Sequence, residues 1–127
     1  MKKGTKVAFA FVVSMVLFLN AAYASSAVTL GSPNPQLDGN FGQSVAISGT
    51  TAVVGAYHET GGGFLQAGHA FIIDTTASAL PITLTSPNAL TGGSFGQSVA
   101  ISGTTVVVGA PGETASGQAG AGLAYIF

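Results

Sequence analysis

The stretch Phe41-Gly42-Gln43-Ser44-Val45-Ala46-Ile47-Ser48-Gly49-Thr50-Thr51 decides the reading of this chain, because it returns unchanged as Phe95 to Thr105, position 95 taking the place of position 41. The match widens on both sides at the same offset and without a gap. Val53-Val54-Gly55-Ala56 returns as Val107-Val108-Gly109-Ala110, Thr29-Leu30 as Thr83-Leu84, Ser32-Pro33-Asn34 as Ser86-Pro87-Asn88, and Ala67-Gly68 as Ala121-Gly122. Val28 to Ile73 therefore lies on Ile82 to Phe127, so the chain is two copies of one unit joined by Asp74 to Pro81. A repeat of this period marks architectures in which each unit buries its apolar faces only against a neighbour.

Within the unit, Phe41, Gln43, Val45 and Ile47 alternate with Gly42, Ser44, Ala46 and Ser48, a period of two that predicts a pleated strand over 41–48. Gly49-Thr50-Thr51 reads as a turn. Ala52-Val53-Val54 is a continuous, mostly β-branched run, the pattern of a strand buried on both faces. Tyr57 to Gln66, with Gly61-Gly62-Gly63, is expected to be a mobile loop; Ala67 to Ile73 is a third strand and Leu80 to Leu84 a fourth. No amphipathic helix is apparent beyond the amino terminus, and the fold class is all-β. With the strands of one sheet named a to d outward, the order along the chain is a lone d at Val28 to Leu30, then a, b, c, then d at Leu80 to Leu84, then a, b, c again. If d belongs with the preceding sheet, the first strand and the last sheet each lack a partner within the chain.

Composition narrows the function. Of 127 residues only 6% are charged, against roughly 25% in an ordinary domain, and cysteine is absent. All three cations, Lys2, Lys3 and Lys6, precede an apolar run from Val7 to Leu19 that is followed by Ala22-Tyr23-Ala24. This is the pattern of a secretory signal peptide over residues 1–24, cleaved before Ser25. The run would reach about 20 Å as a helix, short of a hydrocarbon core of about 30 Å, so no stable membrane span is expected after cleavage. The remainder, residues 25–127, holds Asp38, Glu59, Asp74 and Glu113 and no lysine or arginine. Nucleic-acid binding, which relies on cations neutralising phosphates, is not expected of it. Thiol catalysis and cysteine-ligated zinc are excluded by composition. The expected location is secreted, extracellular or periplasmic.

Phe41-Gly42 followed by Gly55-Ala56-Tyr57, and Phe95-Gly96 followed by Gly109-Ala110-Pro111, resemble the FG-GAP repeat of integrin alpha-subunit propellers and of many secreted microbial proteins. The closing Gly122-Leu123-Ala124-Tyr125-Ile126-Phe127 is similar to that repeat's usual end. The resemblance covers nearly all of the chain after the leader. It implies two four-stranded antiparallel blades of a β-propeller, repeat 1 at about 28–73 and repeat 2 at about 82–127, forming an incomplete ring. Closed propellers need about four to eight blades. Three outcomes stay open: a fragment of a longer multi-blade protein, head-to-tail assembly of copies into an even-bladed ring such as a trimer or tetramer, or an open sheet pair with exposed edges. In the second, Val28 to Leu30 of one copy would complete the Phe95 to Phe127 sheet of the next. Tyr57 stands where the second copy has Pro111 and where the family prefers proline. The aspartate-rich D-x-D-x-D-G calcium loop carried by many such repeats is missing from both copies.

Candidate chemistry is sparse. His58, Glu59 and His69 are the only grouping of metal-ligating types, and zinc would accept two imidazoles and a carboxylate. The second copy has Gly112 and Leu123 at the histidine positions, and polar loop residues are the favoured reading. Glu59-Thr60 and Glu113-Thr114 occur in both copies; one carboxylate per loop fits a turn-stabilising role better than a calcium shell of six to eight oxygens. Asp38 and Asp74 have no acidic counterpart and should face solvent. Ser44 and Ser98 have no nearby base in sequence, so no enzymatic activity, metal or other cofactor is expected. The loops that differ most between copies are Tyr57 to Gln66 and Pro111 to Gly120, and Tyr57, Phe64 and Leu65 are the candidate ligand contacts, with packing over a neighbouring blade as their alternative role. The expected function is a non-enzymatic, adhesion-type module for a protein or glycan ligand. The alternatives are a self-assembling subunit of a surface layer or fibre, or part of a larger secreted protein or enzyme.

Overall fold

The computed structural model describes residues 27–127; the expected leader at 1–24 lies outside the described residues. Seven strands follow in order: β1 (Ser44–Ser48), β2 (Thr51–Ala56), β3 (His69–Asp74), β4 (Ile82–Leu84), β5 (Ser98–Ser102), β6 (Thr105–Ala110) and β7 (Leu123–Ile126). They form two antiparallel sheets, ordered β1-β2-β3-β4 and β5-β6-β7. The repeat offset carries over to the register. Val45 opposes Val54 in the first sheet and Val99 opposes Val108 in the second; Ala70 opposes Gly55 and Ala124 opposes Gly109.

Two expectations need correction. Val28 to Leu30 forms no strand, and the second sheet has three strands, as the order with d in the preceding sheet predicts and one fewer than the four-stranded blade the resemblance implies. A short Val-Thr-Leu segment has no pairing energy of its own, and its counterpart Ile82–Leu84 is a strand because it lies along β3, with Leu84 opposite Ala70 and Ile82 opposite Ile72. β1 also begins at Ser44 and not at Phe41. Phe41-Gly42-Gln43 is a turn: Gln43 N–H donates to Asn40 C=O, and Gly42 has a φ of 91° that only glycine adopts freely.

The sheets meet face to face. From the first sheet, Val53, Ala70 and Leu84 join Phe95, Val106, Val108 and Ala110 of the second in one buried cluster, with Ile72, Val99, Ile101 and Tyr125 packed against it. The small side chains of β1 allow the backbones to approach, so that Ser44 Oγ donates to Gly96 C=O at 2.7 Å and Gly103 N–H donates to Ser48 Oγ at 3.2 Å. A Cβ on Gly55 would lie 1.9 Å from Gly96 O, and one on Gly96 would lie 2.1 Å from His69 O. Glycine is therefore a packing requirement at this seam. A second cluster, Val54, Ala56, Phe71 and Ile73 with Phe41 against it, occupies the other face of the first sheet. β2, buried on both faces along Ala52 to Ala56, thus behaves as its unbroken apolar run predicts.

Candidate functional site

The connection from β2 to β3 is pinned, contrary to the mobile loop expected from its glycines. Gly61 and Phe64 exchange both backbone hydrogen bonds around Gly62-Gly63, whose φ values of 60° and 87° make the tight primed turn that favours hairpins. Gly68 N–H then donates to Glu59 C=O at 2.9 Å. The second copy repeats the device with Ala115 and Gln118 around Ser116-Gly117, and with Gly122 N–H on Glu113 C=O at 2.8 Å.

At the root of each loop lies a buried glutamate. Glu59 accepts from Ser32 Oγ on Oε1 and from His69 Nδ1 on Oε2 at 3.0 Å. Its stem lies against Gly39, where a Cβ would come within 2.9 Å of Glu59 Cγ. Ser32 Oγ in turn accepts from Asn34 N–H at 3.0 Å, a local turn that aims the hydroxyl. In the second copy Tyr125 stands where Phe71 does in the first, and its hydroxyl donates to Glu113 Oε2 while accepting from Ser86 Oγ at 3.2 Å. Leu123 replaces His69, and Glu113 Oε1 is buried with no hydrogen-bond partner among the described residues. Burial first, and then the bond to Glu113, push the Tyr125 phenol above its ordinary value of 10.0. These glutamates serve as internal posts: Glu59 ties the loop after the second strand directly to Ser32 in the segment before its sheet, and Glu113 reaches the matching Ser86 through the Tyr125 hydroxyl. The sequence signal was the joint recurrence of Ser-Pro-Asn and Glu-Thr; their contact could not be read from it.

The structure brings together only part of the metal-ligating set. His69 meets Glu59, but His58 turns to Asn40, whose amide donates to His58 Nδ1 at 2.9 Å. Among the described residues no group of three or more His, Cys, Asp or Glu is placed to hold a metal ion. Asp38 and Asp74 are exposed, and Asp74 accepts from Thr76 N–H, Thr76 Oγ1 and Ala77 N–H, which lowers its carboxyl below the usual range through the Thr76 bonds above all. Ser44 is spent on Gly96 C=O and has no base beside it in its hydrogen bonding.

The ligand-contact candidates separate into two kinds. Tyr57 is half-buried, its ring against that of His58 with centroids 4.1 Å apart and planes tilted by 48°, and its hydroxyl accepts from Asn40 Nδ2. Phe64 and Leu65 sit on the pinned hairpin with 43% and 66% of their surface exposed. The backbone beneath them is committed to the segment that leads into the second sheet: Gly92 N–H donates to Leu65 C=O, Ser94 N–H to Gln66 C=O and Phe95 N–H to Ala67 C=O, at 2.9, 3.0 and 2.9 Å. The main chain packs over the neighbour and the two apolar side chains are left outside.

Two copies of one antiparallel sheet, each with an FG turn before its first strand and a Gly-Ala end to its second, packed face to face, are what the FG-GAP repeat family describes, and that family matches residues 35–73 and again 82–127. The chain belongs to the FG-GAP repeat family and is a β-propeller-type module, each sheet being one blade. No curated protein matches it.

Proposed function

We propose that this protein is an exported, non-enzymatic binding module whose β2–β3 hairpin presents Phe64 and Leu65 to a protein or glycan ligand, with Tyr57 beside His58 and Asn40 as a second contact. The observation that carries this reading is the pairing of exposed apolar side chains with a backbone fixed at both ends. A preorganised loop loses little conformational entropy on binding, and an exposed apolar pair gains from desolvation. The equivalent hairpin of the second copy carries Gln118 and Ala119, which have little to bury, so recognition belongs to the first repeat. The near absence of charge suits a ligand bound by shape, stacking and hydroxyl groups in preference to ion pairs. The leader pattern at 1–24 supports export.

An array of glycans and extracellular matrix proteins probed with the full chain tests this reading. Saturable binding to at least one spot is expected, reduced about tenfold or more in the doubly substituted Phe64→Ser, Leu65→Ser chain, in line with the loss of a small apolar hot spot. Binding that survives the double substitution, or no binding at all, would remove the hairpin from consideration.

A further inference from the structure

The seam between the blades has two unlike sides, and each side is present twice. From the first blade it uses the small-residue face, Ser44, Ala46 and Ser48 with Val53; from the second it uses the turn Phe95-Gly96 and the large-residue face, Val99 and Ile101. The first blade's own large-residue face is exposed along β1, at Val45 and Ile47, which are 67% and 66% exposed, while Val54, Ala56 and Phe71 further across it are already buried. The second blade's small-residue face is free at Ser98, Ala100 and Ser102, and Val107 is 37% exposed where its counterpart Val53 is fully buried. Behind it lies an open depression of about 610 Å³ bordered by Ser98, Gly109, Ala110, Pro111 and Gly122. In the first blade the matching glycines, Gly55 and Gly68, are closed over by the Phe95-Gly96 backbone, with Cβ positions 1.9 and 2.0 Å from its carbonyl oxygens. A Cβ on Gly109 would meet only Ser98, and one on Gly122 only Pro111.

We propose that copies of this chain join head to tail, Phe41-Gly42, Val45 and Ile47 of one copy seating in the Ser98–Ala100–Gly109 face of the next. The occupant is identified by the interface already inside the molecule, since the same eleven residues that fill the first blade's seat are carried on the chain's opposite end. The offset fixes the contacts. Ser98 Oγ donates to Gly42 C=O of the incoming copy, as Ser44 does to Gly96, and the main chain at Ala119 to Ala121 accepts from Asp38, Asn40 and Phe41, as Leu65 to Ala67 does from Gly92, Ser94 and Phe95. The edge of β7 that has no strand beside it among the described residues takes Val28-Thr29-Leu30, with Leu30 against Ala124 and Thr29 against Tyr125, as β3 takes β4. Such a contact is heterologous, so it closes into a ring or continues as a fibre. Because blades of this kind close at about four to eight, a ring holds two to four copies. This inference uses the faces and not the hairpin, so it stands or falls separately from the loop reading.

Light scattering on the purified full chain, with Ile47→Asp and Ala100→Lys made separately, tests it. Both positions are solvent-facing in the single chain, and circular dichroism checks that each variant keeps its strands. Wild type is expected at a multiple of the chain mass, roughly two- to fourfold for a ring and open-ended for a fibre, and each variant at one chain mass. Mixed in equal amounts, the two variants should form a dimer and nothing larger, because each blocks a different end. A monomeric wild type at its highest soluble concentration would overturn the proposal and leave the faces to other blades. Loss of assembly in Ile47→Asp but not in Ala100→Lys would overturn it in favour of a symmetric contact between like faces.

Discussion

Phe41 to Thr51 and Phe95 to Thr105 are the same eleven residues in two different environments. Phe95 is fully buried between the blades, with Tyr125 and Phe127 rings at 5.8 and 6.0 Å; Phe41 is half-buried, with the Phe71 ring at 5.8 Å. β2 is buried on both faces and β6 on one, Val53 and Val107 marking the difference. Identical local sequence builds identical turns and strands, whereas burial comes from whichever blade lies alongside. In a repeat protein the energy of a residue is therefore a property of its place in the array.

The largest break in that comparison is expected at the phenylalanines. Phe95→Ala should cost about 3–5 kcal/mol by urea unfolding, the range for a fully buried aromatic, and Phe41→Ala less than half of that. Equal costs would mean that Phe41 is covered in solution, as head-to-tail joining requires, so the pair should be measured in an Ile47→Asp background that keeps the chain single. The glycines come next. Gly55→Ala pushes a methyl into the Gly96 backbone and should cost about 1–3 kcal/mol or more, the usual range for overpacking; Gly109→Ala meets only the Ser98 hydroxyl, which can rotate away, and should cost well under half as much.

The buried carboxylates sharpen the contrast further. Glu59→Gln turns one of two accepting oxygens into an NH2 donor, so that Ser32 Oγ–H and His69 Nδ1–H can no longer both be accepted, and should cost about 1–3 kcal/mol, the range for leaving a buried donor unpaired, while Glu113→Gln, whose Oε1 already lacks a partner among the described residues, should cost less. Denaturant midpoints at neutral pH report both. The smallest effect is one of pH. The Tyr125 phenol ionises higher in the folded protein than in the unfolded chain, so above about pH 10 the unfolded form binds fewer protons and stability falls as pH rises toward the folded value. Tyr125→Phe, which copies Phe71 of the first blade, should flatten that part of the profile; an unchanged slope would place the proton loss elsewhere.

Much of this architecture could be read beforehand. The period-two alternation of Val45 and Ile47 located β1, the apolar run at Ala52 to Val54 located β2, and the pair Phe-Gly with Gly-Ala pointed to the family. The start of β1 is not legible from alternation, because Phe41 to Gln43 continue it while Gly42 turns the chain. The glycines at 61–63 permit both a mobile loop and a tight primed turn, and only the Gly61–Phe64 bonds decide between them. The glutamate posts were legible as recurring residues but not as contacts, since Ser32 and Glu59 are far apart in sequence.

By itself the sequence determined that there are two equivalent units and that they are sheets, because these follow from alternation and a repeat offset, both local properties. Only the tertiary structure decided which copy of the shared stretch is buried and which valine of the pair Val53 and Val107 is dry. Two identical segments carry no information that could distinguish them, and the difference arises from the blade that packs across each face.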